Sequence, residues 1–460
     1  MLLLGTQRIN ARGHLEVGGC DTVALARRFG TPLYVLDEAT FRDNLRAYRR
    51  AFEKRYPRNE IAYAGKALLC MAVARIVAQE GYDLDVASAG ELYTALKAGF
   101  PPEKLVFHGN NKSLQELQMA VQHGVGRIVV DNLLELEMLE QVAAEAGKQV
   151  PILLRVTPGI DPHTHRFIRT GQADTKFGLN IRNGYALEGV RCALDSPHLF
   201  LKGIHCHVGS QLLETEAQER AVKIMVDFMH TLRKRLGYTV EELNIGGGLG
   251  IRYIESHQPP SFDEYAERIV CVLTEQLDRR NLPYPTLLQE PGRALVGEAG
   301  LTLYTIGAIK QVPIHQPPGI RTYVAVDGGM SDNPRPQLYD AVYTALVANK
   351  ADEPANTLVT IAGKHCETDI LIRNVAIAPP EPGDILAVPS TGAYNYAMSS
   401  NYNRFPRPAM VLVNAGQAEV IVERETLDDL LAHDRVPERL WSEQPIMETT
   451  AFNAQRSETL

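Results

Sequence analysis

Ile61-Ala62-Tyr63-Ala64-Gly65-Lys66 is a short apolar run closed by a lysine, and a helical pattern follows it from Leu68. The same unit recurs downstream. Apolar runs at 84–87, 105–109, 127–131, 152–156, 203–206, 243–245 and 286–289 alternate with amphipathic stretches such as 88–98, 113–123, 132–146 and 216–236. About eight strands alternating with helices over roughly 250 residues predict an α/β fold of the (β/α)8 TIM-type barrel class. A doubly wound sheet is the rival arrangement. The strand count, and polar motifs placed after successive strands, favour the barrel.

Beyond Gly300 the pattern changes. Short β-type runs at 302–310, 323–327, 358–362, 385–388 and 409–413 are punctuated by Pro and Gly, which predicts a C-terminal β-domain. The expected organisation is an N-terminal strand segment over 1–35 joining that β-domain, a barrel over 36–300, the β-domain over 301–435, and a polar tail over 436–460 that holds the single tryptophan, Trp441.

Composition narrows the function classes. Hydrophobic residues make up 45% and charged residues 22% of the 460, as in ordinary globular proteins. The net charge of −8, with no basic run, argues against a nucleic-acid binder. No segment approaches the ~18 apolar residues of a membrane span. The Met1 to Leu4 run is too short for a signal-peptide core. Six scattered cysteines lack paired spacing, which suits a cytoplasmic location and argues against a disulfide framework or zinc ribbon.

Catalytic residues of such a barrel stand at the C-terminal ends of its strands. Lys66 follows the first run. Pressed against apolar neighbours, it is expected to lose its proton readily, and a neutral amine attacks an aldehyde such as pyridoxal phosphate (PLP). A solvated lysine is the plain alternative. Gly246, Gly247, Gly248 and Gly250 follow the seventh run, where backbone without Cβ atoms can approach a phosphate; a simple turn explains them equally. Arg293, after the eighth run, adds a cation for the same phosphate.

His205 and His207 face one side of an extended strand, and His163 and His165 repeat the spacing. Three readings stay open: a metal pair, a buried hydrogen-bonded histidine, or an imidazole stacked on a flat cofactor ring. No acidic third ligand stands at a convincing spacing, so no metal is expected. Glu290 either keeps a pyridine nitrogen protonated or pairs with Arg293 on the surface.

In their order and joint presence, several segments resemble the fold-type III PLP decarboxylases, the alanine racemase-like group. Within it the chain is most similar to the diaminopimelate decarboxylase family. The segments are Tyr63-Ala-Gly-Lys-Ala67, Leu84-Asp-Val-Ala-Ser-Ala-Gly-Glu-Leu92, His108-Gly-Asn-Asn-Lys-Ser113, Thr170 to Gly178, Gly203-Ile-His-Cys-His-Val-Gly-Ser-Gln211, Asn244-Ile-Gly-Gly-Gly248, Glu290-Pro-Gly-Arg293, Asp327 to Pro336, His365-Cys-Glu367, Gly392-Ala-Tyr394 and Met398 to Asn403. They span about Thr31 to Val413.

The resemblance implies PLP-dependent decarboxylation of meso-2,6-diaminopimelate to L-lysine, the last step of lysine biosynthesis. It implies that Lys66 attaches the cofactor, that His207 stacks on its ring, and that Glu290 sits on the pyridine nitrogen. Ser210, Gly248, Gly292, Arg293 and Tyr394 are implied to hold the phosphate. Arg293, Arg335, Tyr339 and Tyr394 are implied to bind substrate. Cys366, as proton donor, and Glu367, on the distal amino group, are implied to reach in from the partner of a homodimer with shared active sites. Three positions depart from the pattern: Cys366-Glu367-Thr368-Asp369 is one residue short, Asn395 replaces a glycine, and Ala89 replaces another. The alternatives are a related decarboxylase with another substrate, a PLP-binding protein without turnover, and a metal-dependent barrel hydrolase.

Overall fold

The computed structural model describes residues 2–160, 174–315 and 318–441. Eight parallel strands form a closed ring: Asn59–Ala64, Asp83–Val86, Leu105–Phe107, Arg127–Val130, Val150–Thr157, Leu199–His205, Glu242–Asn244 and Thr286–Gln289. Closure is explicit in the register, because Leu287, Leu288 and Gln289 pair with Asn59, Glu60 and Ile61. A doubly wound sheet would leave two free edges, so the barrel reading holds.

Helices follow the strands, and local chemistry sets their ends. Ser113 caps Leu114–His123 in a reciprocal box with Glu116, and Gly124 closes that helix in the left-handed conformation at φ 71°. Asn132 caps Leu133–Glu145 by accepting the N–H of Glu135. Glu216–Leu236 ends at Gly237, also left-handed. The apolar faces of these helices join the outward side chains of the strands in one large core, while Ala62, Val106, Val129, Leu153 and Leu288 form a separate cluster of buried residues.

The second sheet has nine strands, and its connections are non-local. Leu33–Asp37 lies between Gly300–His315, to which it is antiparallel, and Ala409–Asn414, to which it is parallel. Three of its strands, Leu346–Val347, Ile370–Ile377 and Gln417–Val422, have no counterpart among the expected runs. A small three-stranded sheet and the helix Thr22–Phe29 precede it. Among the described residues no helix is long and apolar enough to cross a membrane. His163, His165, the 170–173 part of one motif, and tail residues 442–460 lie outside the described residues.

At the N-terminal mouth of the barrel, Arg127 is almost fully buried. It donates to Glu242 at 2.7 and 2.9 Å, to Glu60 at 2.5 Å and to Asp83 at 3.3 Å. These residues stand at or near the starts of their strands. The network closes one end of the barrel and leaves the other for chemistry.

Candidate active site

At the C-terminal mouth a cavity of about 360 Å³ is lined by strand-end residues and by two loops of the second domain. Of the residues singled out from sequence, Lys66, His207, Ser210, Glu290, Arg293, Arg335, Tyr339 and Tyr394 all line it. His108, Arg155 and His205 line it too.

Glu290 is buried at the centre. It accepts from His108 Nε2 at 2.8 Å, Asn244 Nδ2 at 2.7 Å and His205 Nε2 at 3.1 Å. Burial pushes its carboxyl up, but the attraction and hydrogen bonds of the two imidazoles outweigh this and hold it well below the usual range. Burial drives His205 down to about 4, against the pull of Glu290, so its ring is neutral and presents Nε2–H to the carboxylate. These contacts settle two readings. Glu290 is not a surface partner of Arg293, and His205 is a buried hydrogen-bonded histidine. The atoms of His108, His205 and Glu290 are close enough to hold a metal, but their 2.8 and 3.1 Å spacings are those of hydrogen bonds.

Lys66 Nζ lies 3.4 Å from Asp85 Oδ2. Its side chain is 44% accessible through the cavity, whereas that of Asp85 is 1% accessible. Burial lowers the lysine pKa, as expected from its apolar surroundings. Asp85, Tyr394 and Glu290 more than reverse it, and the net direction is upward. The expectation of a readily neutral amine is therefore corrected: in the free site Asp85 holds Lys66 as an ammonium. Burial and the charge of Lys66 keep the His207 imidazole neutral.

Ser210 Oγ accepts from Arg293 Nε at 3.2 Å and Nη2 at 3.0 Å. Above it runs the glycine loop. Gly248 has φ +137°, and a Cβ there would meet Gly209 O at 2.8 Å, so the turn needs glycine. Among the described residues no acceptor faces the Gly248 N–H. Gly292 does not line the cavity. It packs against the strand end that carries Lys66, where a Cβ would meet those of Ala64 and Ala67 at 2.9 and 3.0 Å. Tyr394 takes a left-handed backbone, φ 62°, and its N–H donates to Ala67 O at 2.8 Å. That conformation is uncommon for a bulky residue and aims the ring at the cavity beside Arg293.

The fit to PLP rests on these groups. A carboxylate has about four acceptor positions. Glu290 has three filled, and the fourth suits a pyridinium N–H. The Gly248 N–H, Ser210 and Arg293 could serve as a donor set for a phosphate, and Lys66 could supply the amine.

Cys366 and Glu367 are not brought to the cavity of their own chain. Both are exposed: the Cys366 N–H donates to Asn403 Oδ1 at 3.1 Å, and Glu367 Oε1 accepts from Tyr402 OH at 2.6 Å. The shortened segment closes through Asp369, which takes His365 Nδ1 at 2.6 Å and the Met330 N–H at 2.9 Å. Ala89 begins a helix capped by Ser88, a place where alanine fits well.

Sequence reasoning gave no role to Asp85, His108, Arg155 or Asn244. The barrel rule was the available signal, since all four stand at or near C-terminal strand ends.

Residues 42–297 match the family model of the pyridoxal-dependent decarboxylase, pyridoxal binding domain. The diaminopimelate decarboxylase of Bacillus subtilis is 46% identical over 435 residues, 94% of this chain and 98% of that relative. That of Synechocystis is 48% identical over 452 residues, 96% and 94%. The crystal structure of the M. jannaschii diaminopimelate decarboxylase in complex with L-lysine superposes with a TM-score of 0.88 at 35% identity, covering 96% of this chain and all of that one. With near-complete coverage in both directions, and with residues that could hold a pyridoxal cofactor lining one cavity, the chain belongs to the diaminopimelate decarboxylase family of PLP-dependent enzymes.

Proposed function

We propose that this protein decarboxylates meso-2,6-diaminopimelate to L-lysine and CO2, the last step of lysine biosynthesis, with PLP bound at Lys66. The observation that carries the substrate choice is a pair of buried guanidiniums. Arg293 and Arg335 line the same cavity as Lys66 and Glu290, and among the described residues neither has a carboxylate within ion-pair distance. A substrate with a second carboxylate satisfies them. A substrate ending in an amine would need an acidic residue there.

The bound cofactor supplies an electron sink for the pair of electrons left when CO2 departs. The chain supplies the rest. Lys66 Nζ would hold the cofactor through its amine, and Asp85 beside it would hold the proton that the amine carries in the free site. Glu290 keeps the ring nitrogen protonated. His207, neutral, would lie against the cofactor ring without competing for charge. The Gly248 N–H, Ser210, Arg293 and Tyr394 hold the phosphate. Arg293, Arg335 and Tyr339 orient the substrate through its distal carboxylate.

Two further groups come from a second copy of the chain. Cys366 donates the proton that replaces CO2, and Glu367 meets the distal amino group. Their exposure outside their own cavity supports a homodimer with shared active sites, and a free thiol in that role suits a reducing cytoplasm.

The test uses the purified protein saturated with PLP. Release of CO2 and L-lysine from meso-diaminopimelate, with no comparable turnover of ornithine, arginine or L-lysine, is the expected result. Turnover confined to those three would move the protein to another decarboxylase specificity, and cofactor binding without turnover of any substrate would make it a non-catalytic relative.

A further inference from the structure

Two cations side by side in a buried cavity repel each other, and a carboxylate is the usual remedy. Here aromatic groups stand in its place. Arg335, 4% exposed, lies over the Tyr253 ring at 4.7 Å and the Tyr343 ring at 5.6 Å, and its Nη1 donates to Tyr343 OH at 2.5 Å. Arg293 lies over the Tyr394 ring at 4.7 Å and the Tyr253 ring at 5.8 Å, and its Nη1 donates to Tyr253 OH. Among the described residues Tyr253 is thus the side chain whose ring and hydroxyl reach both guanidiniums. It packs edge-on to Tyr343 at 5.1 Å.

Tyr253 is 2% exposed and does not line the cavity. Its segment is fixed independently of the arginines. The Ile251 N–H donates to Gln211 Oε1 at 3.2 Å, Gln211 Nε2 donates to Ile251 O at 2.8 Å, and the Tyr253 N–H donates to His257 Nδ1 at 3.3 Å. Ile251 and Tyr253 also belong to the apolar cluster of the second domain, with Tyr304 and Tyr343. The ring therefore stands on a rigid support that joins the glycine loop of the barrel to the loop that carries Arg335.

We propose that Tyr253 is a positioning residue for substrate recognition: its phenolic oxygen and ring hold Arg293 and Arg335 side by side without a protein carboxylate, so that the anions they receive, the cofactor phosphate on Arg293 and the ligand carboxylate between the two, complete the cluster. A carboxylate at position 253 would hold the arginines equally well but would occupy the charge meant for the ligand. A tyrosine offers a lone pair and a negative ring face while leaving the net charge in place. The proposal rests on the decarboxylase reading above, in which the arginines grip the distal carboxylate.

L-Lysine and cadaverine are the probes, since they share the amines and the chain and differ by the one carboxylate that the arginines would grip. Inhibition constants for both are measured on PLP-saturated wild-type, Tyr253→Phe and Tyr253→Leu holoenzymes, with KM and kcat for meso-diaminopimelate alongside. Tyr253→Phe keeps the ring packing, so it remains informative if Tyr253→Leu does not fold. The expected result is a wild-type preference for L-lysine. In Tyr253→Phe the L-lysine constant and KM rise about tenfold while the cadaverine constant and kcat stay within about twofold; Tyr253→Leu loses more of the preference. Equal weakening of both ligands, or no change in either, overturns the positioning role. A wild-type enzyme that binds cadaverine as tightly as L-lysine overturns the arginine reading itself, and the role of Tyr253 with it.

Discussion

Both mouths of the barrel are built around buried arginines, and they handle the charge in opposite ways. At the N-terminal mouth Arg127 is enclosed by Glu242, Glu60 and Asp83, with Lys202 adding a second cation to Glu242 at 3.1 Å. Every donor it turns inward meets a carboxylate. At the C-terminal mouth Arg293 and Arg335 meet a serine hydroxyl, phenolic oxygens and ring faces. The residue type and depth are similar, but one cluster is complete in itself and the other is completed by a ligand. A compensated arginine at the closed end belongs to stability, and an uncompensated one at the open end belongs to recognition.

The largest effect lies at the open end. Lys66→Ala removes the amine proposed for the cofactor bond, and activity is expected to fall by at least ~10³-fold, with the visible absorption of lysine-bound cofactor lost. Circular dichroism should show an intact fold, because the change touches neither the Arg127 network nor the main core. A Lys66→Ala protein that keeps turning over meso-diaminopimelate would end the assignment of the site.

Arg127→Met is the counterpart at the closed end. It leaves Glu242, Asp83 and Glu60 facing one another without their shared cation. Breaking a buried ion cluster in this way costs about 3–5 kcal/mol. Denaturant unfolding should show that loss, while KM and kcat of the protein that remains folded stay near wild type. A variant of normal stability with impaired turnover would erase the division between the two mouths.

Arg335→Ala tests recognition at the open end. Truncating a buried guanidinium that meets a carboxylate costs about 2–3 kcal/mol of binding, on the order of 30- to 200-fold in KM for meso-diaminopimelate. Arg335→Lys should recover part of it, since an ammonium keeps the charge but loses the fork that spans Tyr343 and the ligand. Unfolding midpoints should move little, in contrast to Arg127→Met.

Much of this was legible before any coordinates. The eight barrel runs were readable because each is a brief apolar stretch bounded by polar or glycine residues. Thr286–Gln289 and the helix Glu216–Leu236 match their expected ranges residue for residue. Ile370–Ile377 was not readable, because Arg373 and Asn374, the latter at φ 53°, interrupt its alternation. Gln417–Val422 is an edge strand with little burial, so it carries no apolar signal. The site was legible where chemistry demands an uncommon residue, as at Lys66 and Glu290. Its supports were not. Tyr253 carries no motif, and its contacts with Arg293 and Tyr343 join segments about 40 and 90 residues apart, which periodicity cannot register. The protonation of Lys66 turns on a pairing of the same kind: Asp85 lies opposite Ala64 on the neighbouring strand, and that parallel pairing brings it to the amine.

The smallest expected effect separates the members of the Arg127 network from one another. Burial, reinforced by Glu60 and Glu242 and opposed by Arg127, pushes the Asp83 carboxyl up to about 6, whereas the hydrogen bonds and charge of Arg127 overcome burial at Glu242 and hold it below its ordinary value. The signs are therefore opposite. A folded-state pKa above the unfolded one means that the native state binds the Asp83 proton more tightly. Its contribution to stability is fully present below about pH 4 and is lost as pH rises through about 6. Glu242, with a depressed pKa, contributes above its unfolded value and loses that contribution as pH falls. Asp83→Asn should therefore leave stability at pH 7 equal to wild type or higher by about 1 kcal/mol, and remove the decline between pH 4 and 6. Glu242→Gln should lower stability at pH 7 and leave in place the part of the Asp83 decline that burial drives. Unfolding free energies of the two variants from pH 4 to 7 would distinguish them, and a Glu242→Gln protein that matched Asp83→Asn across that range would show that Arg127 treats its carboxylates alike and that the surplus negative charge at the closed mouth is not localised on Asp83.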